Sequence, residues 1–265
     1  MKIGFMGAGK MAEAILASLI KSRFCTKDKI YVSDVAQDRL DYVKRKYRIN
    51  VCDLNRQVAA KCDVIFLCVK PYQLEDVMQE ISSAVKSRHM VISIAAGKRL
   101  AFIEKHLPRA RVVRVMPNLP CQVGAGVTAF CLGRKTKPKD RDLVSAMLKC
   151  FGKEVEMTEE HFDAVTAISG SGPAFFAYFL HCIIEAGQEM GVPGEQAGML
   201  AVQTMLGTAQ LLMQRKMNPI DLINAVKTPN GTTAAGVDVM ERRGMRKIVS
   251  QVIMAAAERS REMSK

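Results

Sequence analysis

The 265-residue sequence predicts an α/β protein: a doubly wound sheet with helices on both faces over residues 1–157, then an all-helical domain over residues 158–265. Three observations lead there. Short β-type runs alternate with helical patterns through the first half, a glycine-rich turn follows the first strand directly, and strand signals stop after about residue 158. The length and the 49% hydrophobic content suffice for two packed domains.

Residues 2–6 read as the first strand, after which Met11, Ala12, Ile15, Leu16, Leu19 and Ile20 recur at helical spacing. Residues 29–33 form a second strand, 37–47 a charged helix and 51–52 a short third strand. The continuous apolar run 64–69 suits a strand buried on both faces. Further strands are expected at 90–95, 111–116, 126–131 and 154–157, and the alternation implies parallel pairing. Beyond residue 158 only helices are expected, punctuated at 169–173, 191–194, 217–219, 228–231 and 243–244.

The formal charge of +13, from 39 Lys and Arg against 26 Asp and Glu, favours anionic ligands such as phosphates or carboxylates. The basic residues are scattered and Trp is absent, so a solvated surface is expected rather than a nucleic-acid stripe. Eight cysteines without a C-x-x-C pair point to a reducing cytoplasm with thiols used as small hydrophobes, and no metal pair is expected. Lys10 and Glu13 interrupt the apolar N-terminus, so no export signal is read there. Residues 164–184 and 196–214 are nearly free of formal charge. Ser169-Gly170-Ser171-Gly172-Pro173 is expected to break the first of these, and polar residues surround the second. Burial inside an oligomer is therefore expected rather than membrane insertion.

Gly7-Ala8-Gly9-Lys10-Met11-Ala12 has the G-x-G-x-x-A pattern between a strand and a helix, the Rossmann context for a dinucleotide pyrophosphate. Asp34 ends the second strand, where a carboxylate bonds ribose hydroxyls and disfavours an added phosphate; with Ser33 and Arg39 close by, this leans towards NAD without deciding. Cys68-Val69-Lys70-Pro71, Ala95-Ala96-Gly97 and Asn118 stand at carboxyl ends of later strands, the edge where such sheets bind ligands.

Taken together, G-A-G-K-M-A, L-C-V-K-P, S-I-A-A-G, V-M-P-N-L-P, A-I-S-G-S-G-P-A and T-P-N-G-T-T closely resemble pyrroline-5-carboxylate reductase, in order along the whole chain. The resemblance implies NAD(P)H-dependent reduction of 1-pyrroline-5-carboxylate to L-proline in the cytoplasm. It also implies a cyclic imino acid as the small-molecule partner and an intertwined homodimer built from the helical domain, often in a ring of dimers. Carried onto this chain, cofactor contacts fall on Met6, Gly7, Ala8, Gly9, Lys10 and Met11, on Ser33, Asp34 and Asn55, on Cys68, Val69, Lys70 and Pro71, and on Ile94, Ala95 and Ala96. Substrate contacts fall on Thr228, Gly231, Thr232 and Thr233 with Glu159 nearby, and Ser171, Gly172 and Asn118 are further candidates. The break at 169–173 is expected to face the nicotinamide. Two departures stand out: Thr228-Pro229-Asn230-Gly231 replaces the usual Ser-Pro-Gly-Gly, where Thr keeps the hydroxyl and Asn tolerates positive φ so that the turn survives, and Lys216 lies where some relatives carry an acid. β-Hydroxyacid dehydrogenases, which need a catalytic lysine in the helical domain, are disfavoured because none stands beside S-G-S-G-P-A.

The reaction needs a hydride, a seat for the carboxylate and a hydrogen-bond partner for the ring nitrogen. Amides of residues 231–233 could seat the carboxylate at a helix start, with Thr233 serving the nitrogen. Alternatively, Thr232 and Thr233 cap that helix, worth roughly 1 kcal/mol each. Glu159 and Glu160 could be acids or ordinary first-turn carboxylates, and His161 and His181 are read as structural.

Overall fold

The computed structural model describes residues 1–263, in two compact units: Met1–Ser171 together with the chain from Ala256 onward, and Gly172–Ala255. The division expected at 157/158 follows the end of the strands; the compact units divide at 171/172.

The first unit is an eight-stranded sheet: β1 (Ile3–Met6), β2 (Ile30–Ser33), β3 (Asn50–Val51), β4 (Val64–Leu67), β5 (Met90–Ser93), β6 (Arg111–Met116), β7 (Gly126–Leu132) and β8 (Gly152–Glu156). Spatial order is β3-β2-β1-β4-β5-β6-β7-β8, so the order reverses between β1 and β4, where open sheets bind ligands. The first six strands are parallel, but β7 runs antiparallel to β6 and β8 follows β7. The connection between β6 and β7 holds only a 3-10 turn, Leu119–Val123, too short for the crossover that parallel pairing requires.

Side chains alternate between the two faces with period two. Ile3, Phe5, Val64, Phe66, Met90 and Ile92 point to one core, while Met6, Ile65, Leu67 and Val91 point to the other. The first face is covered by α1 (Lys10–Lys21), α2 (Gln37–Tyr47) and α6 (Pro138–Lys149). The second is covered by α3 (Asn55–Lys61), α4 (Leu74–Ile81) and α5 (Leu100–His106). Phe5 and Phe66 stack at 4.9 Å between centroids on adjacent β1 and β4, fixing their pairing.

The expected break at 169–173 does not occur. Helical backbone is continuous over Glu159–Glu189, through α7 (Phe162–Val165), a π turn (Thr166–Gly170) and α8 (Gly172–Glu189). The widened turn pairs Ser171 N–H with the Thr166 carbonyl at 2.8 Å, five residues back. Pro173, in the opening turn of α8, needs no amide donor there, so the proline is accommodated without a break. This helix has the length and apolarity to cross a membrane, so its interruption no longer argues against insertion.

The second unit continues with α9 (Gly194–Arg215), α10 (Pro219–Val226), α11 (Thr232–Arg242) and the start of α12 (Met245–Glu262). Lys216 adopts φ 50 as the left-handed cap of α9, where its charge suits the carboxyl end of the helix. Within Gly172–Ala255, the buried residues are Gly172, Ala197 and Ala201, while Phe176, Tyr178, Met199, Leu200 and Met254 are among many exposed large apolar side chains. Helices that bury so little cannot offset the entropy of ordering them, so this unit depends on an external partner surface. Thermal unfolding followed by circular dichroism is accordingly expected to rise by roughly 2–5 °C per tenfold increase in protein concentration. A midpoint constant over a hundredfold range would contradict this dependence.

Candidate active site

The turn after β1 is shaped by two glycines with different tasks. Gly7 takes φ 100, and a Cβ there would lie 2.7 Å from the Cys68 carbonyl oxygen at the end of β4. Gly7 N–H donates to the Ser33 carbonyl and Cys68 N–H to the Met6 carbonyl, both at 2.8 Å, so the turn is pinned to β2 and β4. At Gly9 a Cβ would meet open space. Gly9 caps α1 without a side-chain bond, and the first intrahelical bond is Glu13 N–H to Gly9 O at 2.9 Å. The amides of Lys10, Met11 and Ala12 precede it and face a cleared approach, which fits a pyrophosphate.

Asp34 clamps this turn: its Oδ2 accepts from Ala8 N–H and its Oδ1 from Ala36 N–H. Arg39 holds the next peptide group of the same residue, donating to the Ala8 carbonyl through Nε at 3.1 Å and Nη2 at 2.7 Å. Arg39 also pairs with Glu13 at 2.8 Å, and Glu13 accepts from Lys46 and Tyr47, each at 2.9 Å. Burial works against the Glu13 carboxylate, but the hydrogen bonds from Arg39, Lys46 and Tyr47 outweigh it and hold its pKa at about 2.

Ser33 Oγ donates to Asn55 Oδ1 at 2.7 Å, and Asn55 Nδ2 donates to Glu80 Oε2 at 2.6 Å. These residues border a groove of about 390 Å³ with Asp34, Val35 and Asp53. Val69 is half-buried and Lys70 exposed; Lys70 N–H donates to Gln73 Oε1 at 3.2 Å, opening the turn that begins at Pro71. Past β5, Ile94 N–H donates to the Leu67 carbonyl at 3.2 Å and Ala95 N–H to Ser93 Oγ at 3.3 Å, with Ala96 next in the chain. Met6 is fully buried beneath the turn, and Met11 Sδ lies 3.4 Å from Cys121 Sγ.

Asn118 is buried, and its Oδ1 accepts from Val127 N–H at 2.9 Å, tying the 3-10 turn to β7. Glu159 is a hub inside the first unit rather than an exposed first-turn acid. Its Oε1 accepts from Leu100 N–H at 2.6 Å and from buried Arg114 at 2.9 Å, while the Arg114 guanidinium lies 4.6 Å from the Phe162 ring centroid. At Gly170 a Cβ would approach Met116 Cε to 2.6 Å, so the π turn beside Ser171 packs on the end of β6.

In the second unit, Asn230 adopts φ 58, so the residue that departs from Ser-Pro-Gly-Gly supplies the left-handed backbone expected of it. Gly231 N–H donates to Thr228 O at 3.0 Å, and a Cβ at Gly231 would lie 2.3 Å from Thr228 Oγ1. Neither Thr232 nor Thr233 caps α11; Gly231 holds the cap position, without a side-chain bond. The first intrahelical bond is Ala235 N–H to Gly231 O at 3.2 Å, so the amides of Thr232, Thr233 and Ala234 lie before it. Thr233 also lines a mostly apolar groove of about 520 Å³ with Leu211, Ile223, Val226 and Val237. Gly172 opens α8 in the same unit.

Four residues escaped the sequence reading: Glu13, Glu80 and Arg114, and Arg39 in its role as a clamp. Arg39 and Glu13 had a usable signal, an acid in the turn after the glycines and a base in the turn after Asp34. Glu80 had none, because it meets Asn55 only across 25 positions of chain.

A family model described as pyrroline-5-carboxylate reductase dimerisation matches residues 159–263, and one described as NADP oxidoreductase, coenzyme F420-dependent, matches residues 2–97. The chain is 38% identical to a pyrroline-5-carboxylate reductase of Synechocystis sp., covering 100% of this chain and 98% of that one. It is 36% identical to pyrroline-5-carboxylate reductase 3 of Bos taurus, covering 100% and 86%. Among solved structures, a pyrroline-5-carboxylate reductase from Coxiella burnetii matches with a TM-score of 0.93 at 32% identity, covering 100% and 98%. The Plasmodium falciparum pyrroline carboxylate reductase with NADP bound matches with a TM-score of 0.91 at 28% identity, covering 100% and 98%.

Because the Glu13 pKa lies below its ordinary value, its contribution to stability is complete above about pH 4.5 and is lost as the pH falls towards about 2. Glu13→Gln is therefore expected to lower the thermal midpoint at pH 7 and to flatten its dependence on pH between those values. Parallel wild-type and variant curves across this window would show that the cluster does not couple to folding.

Proposed function

The chain belongs to the pyrroline-5-carboxylate reductase family, and from that premise we propose how its residues divide the work of the reaction. The protein is an oxidoreductase that reduces 1-pyrroline-5-carboxylate to L-proline with NAD(P)H, the last step of proline biosynthesis. Bound NAD(P)H supplies the hydride that reaches the C=N carbon. The turn Gly7–Met11 holds the pyrophosphate with the first amides of α1. Ser33, Asp34 and Asn55 take the adenosine ribose, and Cys68–Pro71 with Ile94–Ala96 line the remaining cofactor path.

The observation that carries the substrate assignment is the start of α11, with amides of Thr232, Thr233 and Ala234 ahead of the first intrahelical bond. They form a seat for a small carboxylate, with Thr228 and Gly231 shaping its entrance, and no arginine is needed. Thr233 serves the ring nitrogen. A threonine hydroxyl is too weak an acid to give up its proton unaided, so it orients a protonated imine or relays a proton from water. Asn118, Glu159, Ser171 and Gly172 act less directly. Glu159 and Asn118 are spent on holding the β-strand ends in place, and Ser171 and Gly172 fix the backbone where the long helix widens.

The helical domain self-associates. We take the assembly to be an intertwined homodimer, extended to a ring of dimers. The exposed apolar side chains of Gly172–Ala255 are then covered by protein rather than lipid or nucleic acid. Eight free thiols suit a reducing cytoplasm.

A spectrophotometric assay with 1-pyrroline-5-carboxylate and either NADH or NADPH is expected to show cofactor oxidation; none with either would sink the activity. Thr233→Ala should lower turnover at saturating substrate on the order of 10²-fold, with Thr233→Ser largely retaining it. Unchanged turnover in the alanine variant would remove Thr233 from the mechanism.

A further inference from the structure

We propose that Glu80 is a positioning residue that sets cofactor preference: it orients Asn55 and Ser33 so that the groove beside Asp34 accepts the ribose hydroxyls of NADH and rejects the added phosphate of NADPH. This rests on the NAD(P)H-dependent reading above and goes on to say which cofactor that site takes.

A carboxylate only accepts hydrogen bonds, so Glu80 dictates the direction of the whole chain of contacts. Asn55 turns its Nδ2 towards Glu80 Oε2 at 2.6 Å, and the second Glu80 oxygen takes Arg56 N–H at 3.2 Å. Asn55 Oδ1 must then face Ser33, whose hydroxyl spends its single proton on that oxygen at 2.7 Å. The Ser33 donor and one Asn55 donor are thus drawn towards Glu80. The groove is left with the lone pairs of Ser33 and Asn55, the second Asn55 N–H and three lining carboxylates, Asp34, Asp53 and Glu80, so acceptors and negative charge predominate. No Lys or Arg is among the described residues that line it. Arg39, five positions after Asp34, is held instead by the Ala8 carbonyl and Glu13.

The two cofactors differ in what they bring to such a surface. A ribose diol offers donors and no charge, which matches acceptors. A phosphate offers acceptors only and about two negative charges, which meet lone pairs and like charge. Asp34 contributes to this repulsion, but Glu80 acts through the polarity of Asn55 and Ser33. Glutamine at this position carries no charge and can donate as well as accept. Asn55 can then turn its amide over, and the Ser33 hydroxyl is released to donate into the groove.

The test is isothermal titration of the full-length protein with NADH and NADPH, for the wild type, Glu80→Gln and Glu80→Ala. Wild type is expected to bind NADH at least about tenfold more tightly than NADPH. Either variant should narrow that ratio by about tenfold, chiefly through tighter NADPH binding, with the KM for 1-pyrroline-5-carboxylate unchanged. Equal or tighter NADPH binding by the wild type would overturn the proposal whatever the variants do. An equal change for both cofactors in the variants would also overturn it, because general damage to the groove does not discriminate. Failure to turn over the substrate would defeat the proposed activity, while the ratio of dissociation constants would still decide the role of Glu80.

Discussion

The close approach of Gly7 to the carbonyl of Cys68 is the contact on which the first unit depends. It lets the chain leave β1 and turn into α1 at the point where strand order reverses, and any side chain at Gly7 would press on β4. From it follow the bonds to Ser33 and Met6 that align the ends of β1, β2 and β4. The Asp34 and Arg39 clamp on Ala8 then removes the freedom that a glycine-flanked turn would otherwise keep.

The two ends of the chain solve the same problem with the same device. α1 and α11 both begin at a glycine cap without a side-chain bond, leaving early amides for a ligand to satisfy. A serine or aspartate at either cap would stabilise the helix and occupy those donors. Local stability is given up at both places, in a form that an anion at the helix start would restore. The second unit carries this dependence further, since its helices bury little until another surface covers them.

Much of this was legible in the sequence because it is local. The β-type runs, the apolar spacing of α1, the glycine turn and the left-handed Asn230 each depend on residues a few positions apart. The reversal of β7 was not read, although the short link across Leu119–Val123 carried the information; the alternating pattern was carried across a link that holds no crossover helix. The π turn was mistaken for a break because glycine, serine and proline weaken an α-helix, and composition does not distinguish an interrupted helix from a widened one. The pairings of Glu159 and Glu80 eluded the reading for a different reason: their partners Arg114 and Asn55 lie 45 and 25 positions away, and nothing local marks a carboxylate for such a pairing.

The hydrogen bond from Gly231 N–H to Thr228 O bears on the chemical lifetime of the loop. An Asn-Gly bond ages when the glycine nitrogen attacks the asparagine side chain, closing a ring that reopens as an acid with a displaced backbone. Here that nitrogen is engaged by Thr228, in a turn that holds Asn230 left-handed. The restraint that shapes the entrance to α11 thus also slows its decay. Were it to fail, a new negative charge would arise beside the early amides of α11 and compete for them with any other anion.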